Sequence, residues 1–158
     1  MKHIVSFSGG KDSTAMLLMM LERGMQIDDT IYFDCGDWEF PQMHEHIRQV
    51  EKYTGKEIIK LTHPRGDLNY WMFDHVPRKR KGKNYHVGKG WPRPSHQQCN
   101  GRWCTGKKID TIRTYMRKFK DEGVTCYIGF AADEAWRVDK PNIAQSWHKT
   151  KFPLIELG

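Results

Sequence analysis

Long apolar runs are absent from the 158-residue chain. The longest, Ala15 to Leu21, falls well short of the ~20 residues that cross a bilayer, and it follows a glycine turn rather than a basic leader. Neither a membrane span nor a secretory signal is expected. Cysteine is sparse as well: four residues, at 35, 99, 104 and 126, do not reach the density of a disulfide scaffold. A reducing compartment, the cytoplasm, is the expected location. At this length one core buries roughly 70% of the surface of the unfolded chain and needs no disulfide or metal staple. A single domain over residues 1–158 is therefore expected.

Acidic residues are missing from one stretch altogether. Between His75 and Ile109 stand ten Lys and Arg and no Asp or Glu, whereas the rest of the chain carries 16 basic against 19 acidic residues. The formal charge of +7 thus belongs to one segment. Gly82, Gly88, Gly90, Pro92 and Pro94 punctuate it, which predicts a basic loop or lid insertion at about 75–98. Tyr85, His86 and Trp91 among the cations suit phosphates and stacked bases, so nucleic acid is one candidate partner for 78–93. A lid closing over a polyphosphate and a self-repelling chain are the alternatives.

What is present is a regular alternation. His3–Phe7 reads as a strand, Ser8-Gly9-Gly10 as a break, and Thr14–Glu22 as a helix apolar nearly all round, hence buried. Asp29–Asp34 is a second strand. Phe40, Met43, Ile47, Val50 and Tyr53 mark an amphipathic helix that starts at Pro41 and stops at Gly55. Glu57–Leu61 is a third strand, Leu68–Phe73 a short helix, and Ile109–Phe119 a further helix ended by Gly123. Cys126–Phe130 makes a fourth strand. Short β-α-β connections predict an α/β fold of three layers, with a doubly wound, mostly parallel, Rossmann-like sheet. The apolar run Phe152–Leu157 reads as the start of another buried element, consistent with a truncated C-terminus, a homo-oligomer or a partner subunit that completes the core.

Ser8-Gly9-Gly10-Lys11-Asp12-Ser13 carries the chemistry. It joins a strand to a helix, where unpaired amides and the positive end of the helix dipole face the loop. The glycines let several N–H groups converge on a phosphate, Lys11 adds charge, and the Ser8 and Ser13 hydroxyls add donors. Walker A is excluded, because that motif needs glycine where Val5 stands and Ser or Thr where Asp12 stands.

This hexapeptide resembles the signature of the PP-loop adenine nucleotide alpha-hydrolase superfamily. Within it, the chain is similar to the phosphoadenosine phosphosulfate (PAPS) reductase-like family. The likeness continues through Tyr32-Phe33-Asp34-Cys35-Gly36-Asp37-Trp38-Glu39-Phe40-Pro41, then Gly101-Arg102-Trp103-Cys104-Thr105 with Lys108, then Gly129 with Asp133, Glu134 and Arg137. It implies ATP, APS or PAPS as the nucleotide, contacted by Ser6, Ser8, Gly9, Gly10, Lys11, Asp12, Ser13, Asp34, Arg102, Lys108, Gly129 and Arg137. Catalytic roles fall to Lys11, Asp133, Glu134 and Cys104, with Mg2+ held between phosphates and carboxylates as one option.

Each later residue also has a plainer reading. Asp34 fits a turn before Gly36, Asp133 a helical cap, and Glu134 with Arg137 an i,i+3 ion pair. Cys99 and Cys104 are a weak metal pair, since two thiolates fall short of a four-ligand site. Adjacent cysteines and a later pair are missing, so an iron-sulfur cluster is not expected. Phe130 and Ala131 stand where sulfonucleotide reductases of this kind place an arginine, and no cysteine follows Cys126 to act as their C-terminal nucleophile. The functional alternatives are thus sulfonucleotide reduction or α-phosphate chemistry, an ATP pyrophosphatase activating a nucleic-acid base for sulfur transfer, and a non-catalytic nucleotide-binding subunit.

Overall fold

The computed structural model describes residues 1–75, 103–138 and 147–157. The chain alternates strand and helix: β1 (Lys2–Phe7), α1 (Lys11–Glu22), β2 (Asp29–Phe33), α2 (Pro41–Thr54), β3 (Ile58–Leu61), α3 (Trp103–Arg117), β4 (Val124–Ile128), β5 (Lys149–Lys151) and α4 (Pro153–Glu156). The five strands form one parallel sheet in the order β3-β2-β1-β4-β5. The α/β, doubly wound arrangement anticipated above is therefore present.

Helices cover both faces. On one, Met16, Leu17 and Met20 of α1 and Ile47 and Val50 of α2 pack against Val5, Phe7, Tyr32 and Tyr127 of the sheet, and Leu154 of α4 joins them. On the other, Ile112, Tyr115 and Met116 of α3 cover Ile4, Ile31, Val124 and Cys126. The winding reverses beside β1: α1 and α2 build outward through β2 and β3, and α3 returns the chain to β4. In such sheets the carboxyl ends of the strands at the reversal open a crevice.

Several expectations need correction. α1 starts at Lys11 rather than Thr14, because Gly10 adopts the extended conformation of an N-cap. Burial of α1 is one-sided, with Ala15 exposed and Leu18 only half-covered. Phe40 and Tyr53 match the apolar spacing of α2 yet are 80% and 78% exposed. Gly55 ends α2 in the left-handed region as anticipated. β4 runs two residues earlier than its apolar string suggests, for Phe130 already turns back through its amide to the Ile128 carbonyl at 3.1 Å. β5 was not foreseen: Lys-Thr-Lys carries no apolar alternation, as suits a short edge strand guarded by lysine. Of the apolar C-terminal run, Phe152 and Pro153 are buried within their own chain, Phe152 stacked on Phe130 at 5.4 Å between ring centres, whereas Leu154 and Ile155 are half-buried and Leu157 is exposed. The basic insertion beyond His75 lies outside the described residues.

Candidate functional site

β1 delivers the chain to Ser8, where it must turn sharply into α1. Gly9 has φ +78°, and a β-carbon there would strike the Met43 sulfur. Gly10 then caps α1 with no side chain returning to its amides. The first-turn N–H groups at Lys11, Asp12 and Ser13 have no carbonyl four residues back within the helix, so they present an anion-binding end.

Ser13 braces this turn. Its side chain, 4% exposed by residue, accepts from the Ser8 amide at 3.2 Å, shares a hydrogen bond with the Ser8 hydroxyl at 3.0 Å, and donates to the Gly10 carbonyl at 3.0 Å. Thr14 also reaches the Gly10 carbonyl at 3.0 Å and meets His46 Nε2 at 3.0 Å, which ties the loop to α2. From the other side Gly129, at the end of β4, lies against the loop. A β-carbon there would approach Ser13 Cα to 2.8 Å and the Asp12 backbone to 3.0 Å.

A cleft of about 590 Å³ opens beside the loop. Ser6 of β1, Ser8 and Gly10 of the turn and Asp12 and Ser13 of α1 line it on one side, Thr105, Lys108 and Arg113 from α3, and Glu134 and Arg137 from the helical turn after β4. Farther down, Ile112, Met116, Cys126 and Ile128 make its walls apolar, and His148 and Thr150 close it beside β5. The cleft is thus polar and amide-rich at one end and apolar at the other.

The anticipated residues divide accordingly. Ser6, Ser8, Gly10, Asp12, Ser13, Lys108, Gly129, Glu134 and Arg137 meet at this cleft. Lys11 and Gly9 instead border a shallow apolar trough between α1 and α2, with Phe40, Met43 and His46. The Lys11 ammonium, 87% exposed, reaches back to Asp12 Oδ1 at 2.6 Å. That hydrogen bond and charge raise its pKa, and the Asp133 and Glu134 carboxylates add smaller upward contributions. Asp133 is exposed and does not cap the turn that it enters.

Glu134 and Arg137 form the i,i+3 ion pair at 2.5 Å, and the guanidinium sits 4.1 Å from the centre of the Phe130 ring. Asp34 makes the turn: its Oδ1 accepts from the Gly36 amide at 2.8 Å, and it is not part of the cleft wall. Cys104 stands half-buried in the first turn of α3, next to Thr105 but not itself lining the cleft. Cys35 is held up to about 12 by burial, with hydrogen bonding and charge from Glu39 acting in the same direction. Arg102 and Cys99 lie outside the described residues. Among the described residues no three His, Cys, Asp or Glu side chains converge in a metal-binding group.

Arg113, His148 and Thr150 escaped sequence reasoning. Arg113 falls among the polar positions of an amphipathic helix, and His148 and Thr150 precede or occupy a strand that has no sequence signature.

The fold is that of a PP-loop nucleotide-binding α/β protein, with the Ser8–Ser13 turn at the reversal of the sheet. The profile of the phosphoadenosine phosphosulfate reductase domain family matches residues 2–154, and the chain belongs to that family. An uncharacterized protein of Methanocaldococcus jannaschii is 27% identical over 150 residues, a match covering 94% of this chain and 27% of that protein. The chain thus spans about a quarter of its relative's length. No helix among the described residues is long and apolar enough to cross a membrane.

Proposed function

We propose that the chain binds an adenine nucleotide polyphosphate in the 590 Å³ cleft, with the phosphates in Ser8–Ser13, and serves chemistry at the α-phosphate. The observation that carries this reading is the uncapped start of α1, held open between Gly9 and the close-packed Gly129. Only a backbone approach of this kind leaves room for a polyanion against several amides.

In that reaction an acceptor atom attacks the α-phosphorus while the bond to pyrophosphate breaks, so the departing oxygens gain negative charge. Fixed donors aimed at those oxygens lower the barrier without having to reorganise. Here the amides of Lys11, Asp12 and Ser13 and the Lys108 side chain supply them, and the Lys11 ammonium, which borders the neighbouring trough, adds positive charge at the turn. Asp133, an exposed carboxylate in the helical turn after β4 whose charge is felt at Lys11, is suited to a Mg2+ ion arriving with the phosphates, because such an ion keeps most of its water and needs one or two protein oxygens. Thiol attack on a sulfonucleotide is the weaker reading, since neither Cys104 nor Cys35 forms part of the cleft wall.

Calorimetry with ATP tests the assignment. Lys11→Ala is expected to weaken binding about tenfold or more, whereas Lys120→Ala, on the remote turn after α3, leaves it unchanged. Equal affinities for the two variants would defeat the assignment.

A further inference from the structure

Phe130 joins the C-terminal segment to the cleft through a series of ring and charge contacts. It leaves β4 directly after the close-packed Gly129, and its buried ring stacks on Phe152 with 12° between the planes. Phe152 is fixed in turn. It follows β5, whose Lys151 pairs with Tyr127 of β4, and its amide donates to the Glu156 carboxylate at 3.0 Å. The ring of Phe130 also carries the Arg137 guanidinium, whose carbon lies 4.1 Å from the ring centre. Phe130, Glu134 and Arg137 all line the cleft, whereas Phe152 does not.

Two groups therefore set the direction of Arg137, and they differ in kind. Glu134, three residues earlier in the same helical turn, accepts from one guanidinium nitrogen and offsets its charge. That pair is partly exposed, where water screens it and makes it a weak anchor. A ring face attracts the cation without taking an N–H and without cancelling the charge. Because the guanidinium has five donors in its plane, these two contacts leave donors over for an anion in the cleft.

We infer that Phe130, backed by Phe152, is a positioning residue that holds the Arg137 guanidinium where it meets the phosphates seated on the Ser8–Ser13 turn. The inference rests on the nucleotide reading above and extends it to two aromatic residues that carry no charge. Without the ring face, the arginine stem is free to fold onto Glu134, and its charge is spent within the ion pair rather than on the ligand. The C-terminal segment thus acts on the phosphate end of the cleft through Phe152, although that residue does not reach the cleft itself.

Calorimetry of the full chain with ATP and inorganic tripolyphosphate reads this role through a double-mutant cycle. Arg137→Gln is expected to weaken both ligands about tenfold, and Phe130→Leu, which keeps apolar bulk without the ring face, about fivefold. Phe130→Tyr, which keeps the face, is expected to stay within about twofold of wild type. Beside Arg137→Gln, Phe130→Leu should bring no further loss, whereas a merely structural ring would weaken both backgrounds equally. If Phe130→Leu does not fold, Phe152→Leu, which leaves the ring in place without its backing, runs the same cycle. About threefold is expected from it alone, and no loss beside Arg137→Gln. Equal losses in both backgrounds overturn the assignment, as does wild-type affinity of Arg137→Gln or a loss for ATP that tripolyphosphate does not share. Each of these leaves the nucleotide reading standing, since the wild-type chain still binds. A wild-type chain that binds neither ligand removes that reading and this role with it.

Discussion

Gly129 and Ser13 touch through their backbones: a β-carbon added at 129 would lie 2.8 Å from Ser13 Cα. The end of β4 thereby sets the position of the Ser8–Ser13 turn, and the cleft inherits its shape from that contact. Both neighbours of the added atom are main chain, so neither yields by rotating a side chain.

Gly129→Ala is accordingly expected to destabilise the fold by about 1–3 kcal/mol and to weaken ATP binding. Gly106→Ala is the matched control. Nothing lies within 4 Å of a β-carbon at that position in α3, so alanine should add about 0.5–1 kcal/mol through helix propensity. Urea titrations of the two variants moving in the same direction would contradict this account.

Ser13→Ala removes the acceptor of the Ser8 amide and the donor to the Gly10 carbonyl at a buried position. The expected cost is about 1–3 kcal/mol, with faster amide exchange at Ser8 and Gly10. Unchanged exchange at both amides would show that the hydroxyl does not brace the turn.

Stability should fall on mild acidification. His63 and His75 pack on Trp71 at 5.1 and 4.4 Å between ring centres, and the Lys107 ammonium sits 3.4 Å from the centre of the same indole. Burial, followed by Lys107, lowers both histidines, with Arg65 adding to the effect and Asp110 opposing it at His63. Their folded pKa values lie below 6.5, so between the two states the unfolded chain takes up protons first. Full stability is expected above pH 6.5, declining as the pH drops toward the depressed folded values. Urea midpoints at pH 7.5 and 5.5 check the sign, and His63→Gln with His75→Gln should flatten the difference.

Thiol reactivity should rank the described cysteines. Cys126 is enclosed and held up to about 12 by burial, and Cys35 is likewise raised to about 12. At pH 8 iodoacetamide should therefore modify Cys104 first and Cys126 last, the latter only through global opening. Peptide-resolved mass spectrometry reads the order directly, and early labelling of Cys126 would refute it.

The Ser8–Ser13 turn was legible because its shape is set locally. Strand, glycines, lysine and hydroxyls all fall within residues 3–14, and every bond that shapes the turn connects near neighbours, apart from those to Met43, His46 and Gly129. Glu134 and Arg137 were legible as a pair for the same reason, being one turn apart. Asp34 reads as a turn residue or a ligand from sequence, and the structure shows the turn. The exposure of Phe40 and Tyr53 was not legible, since apolar spacing marks a helix face without saying how much neighbouring surface reaches it.

The alternating periodicities and the glycine turn determined the class of fold and the strand-to-helix turn from sequence, because each depends on residues adjacent along the chain. Which side of the turn becomes a cleft was a tertiary matter. It required α3 to cross behind the sheet, Gly129 to close on Ser13, and a polar edge strand to pair with β4 and bring Thr150 beside Cys126. Contacts among residues so far apart are set by strand order and layer packing, and the local pattern of side chains carries no record of them.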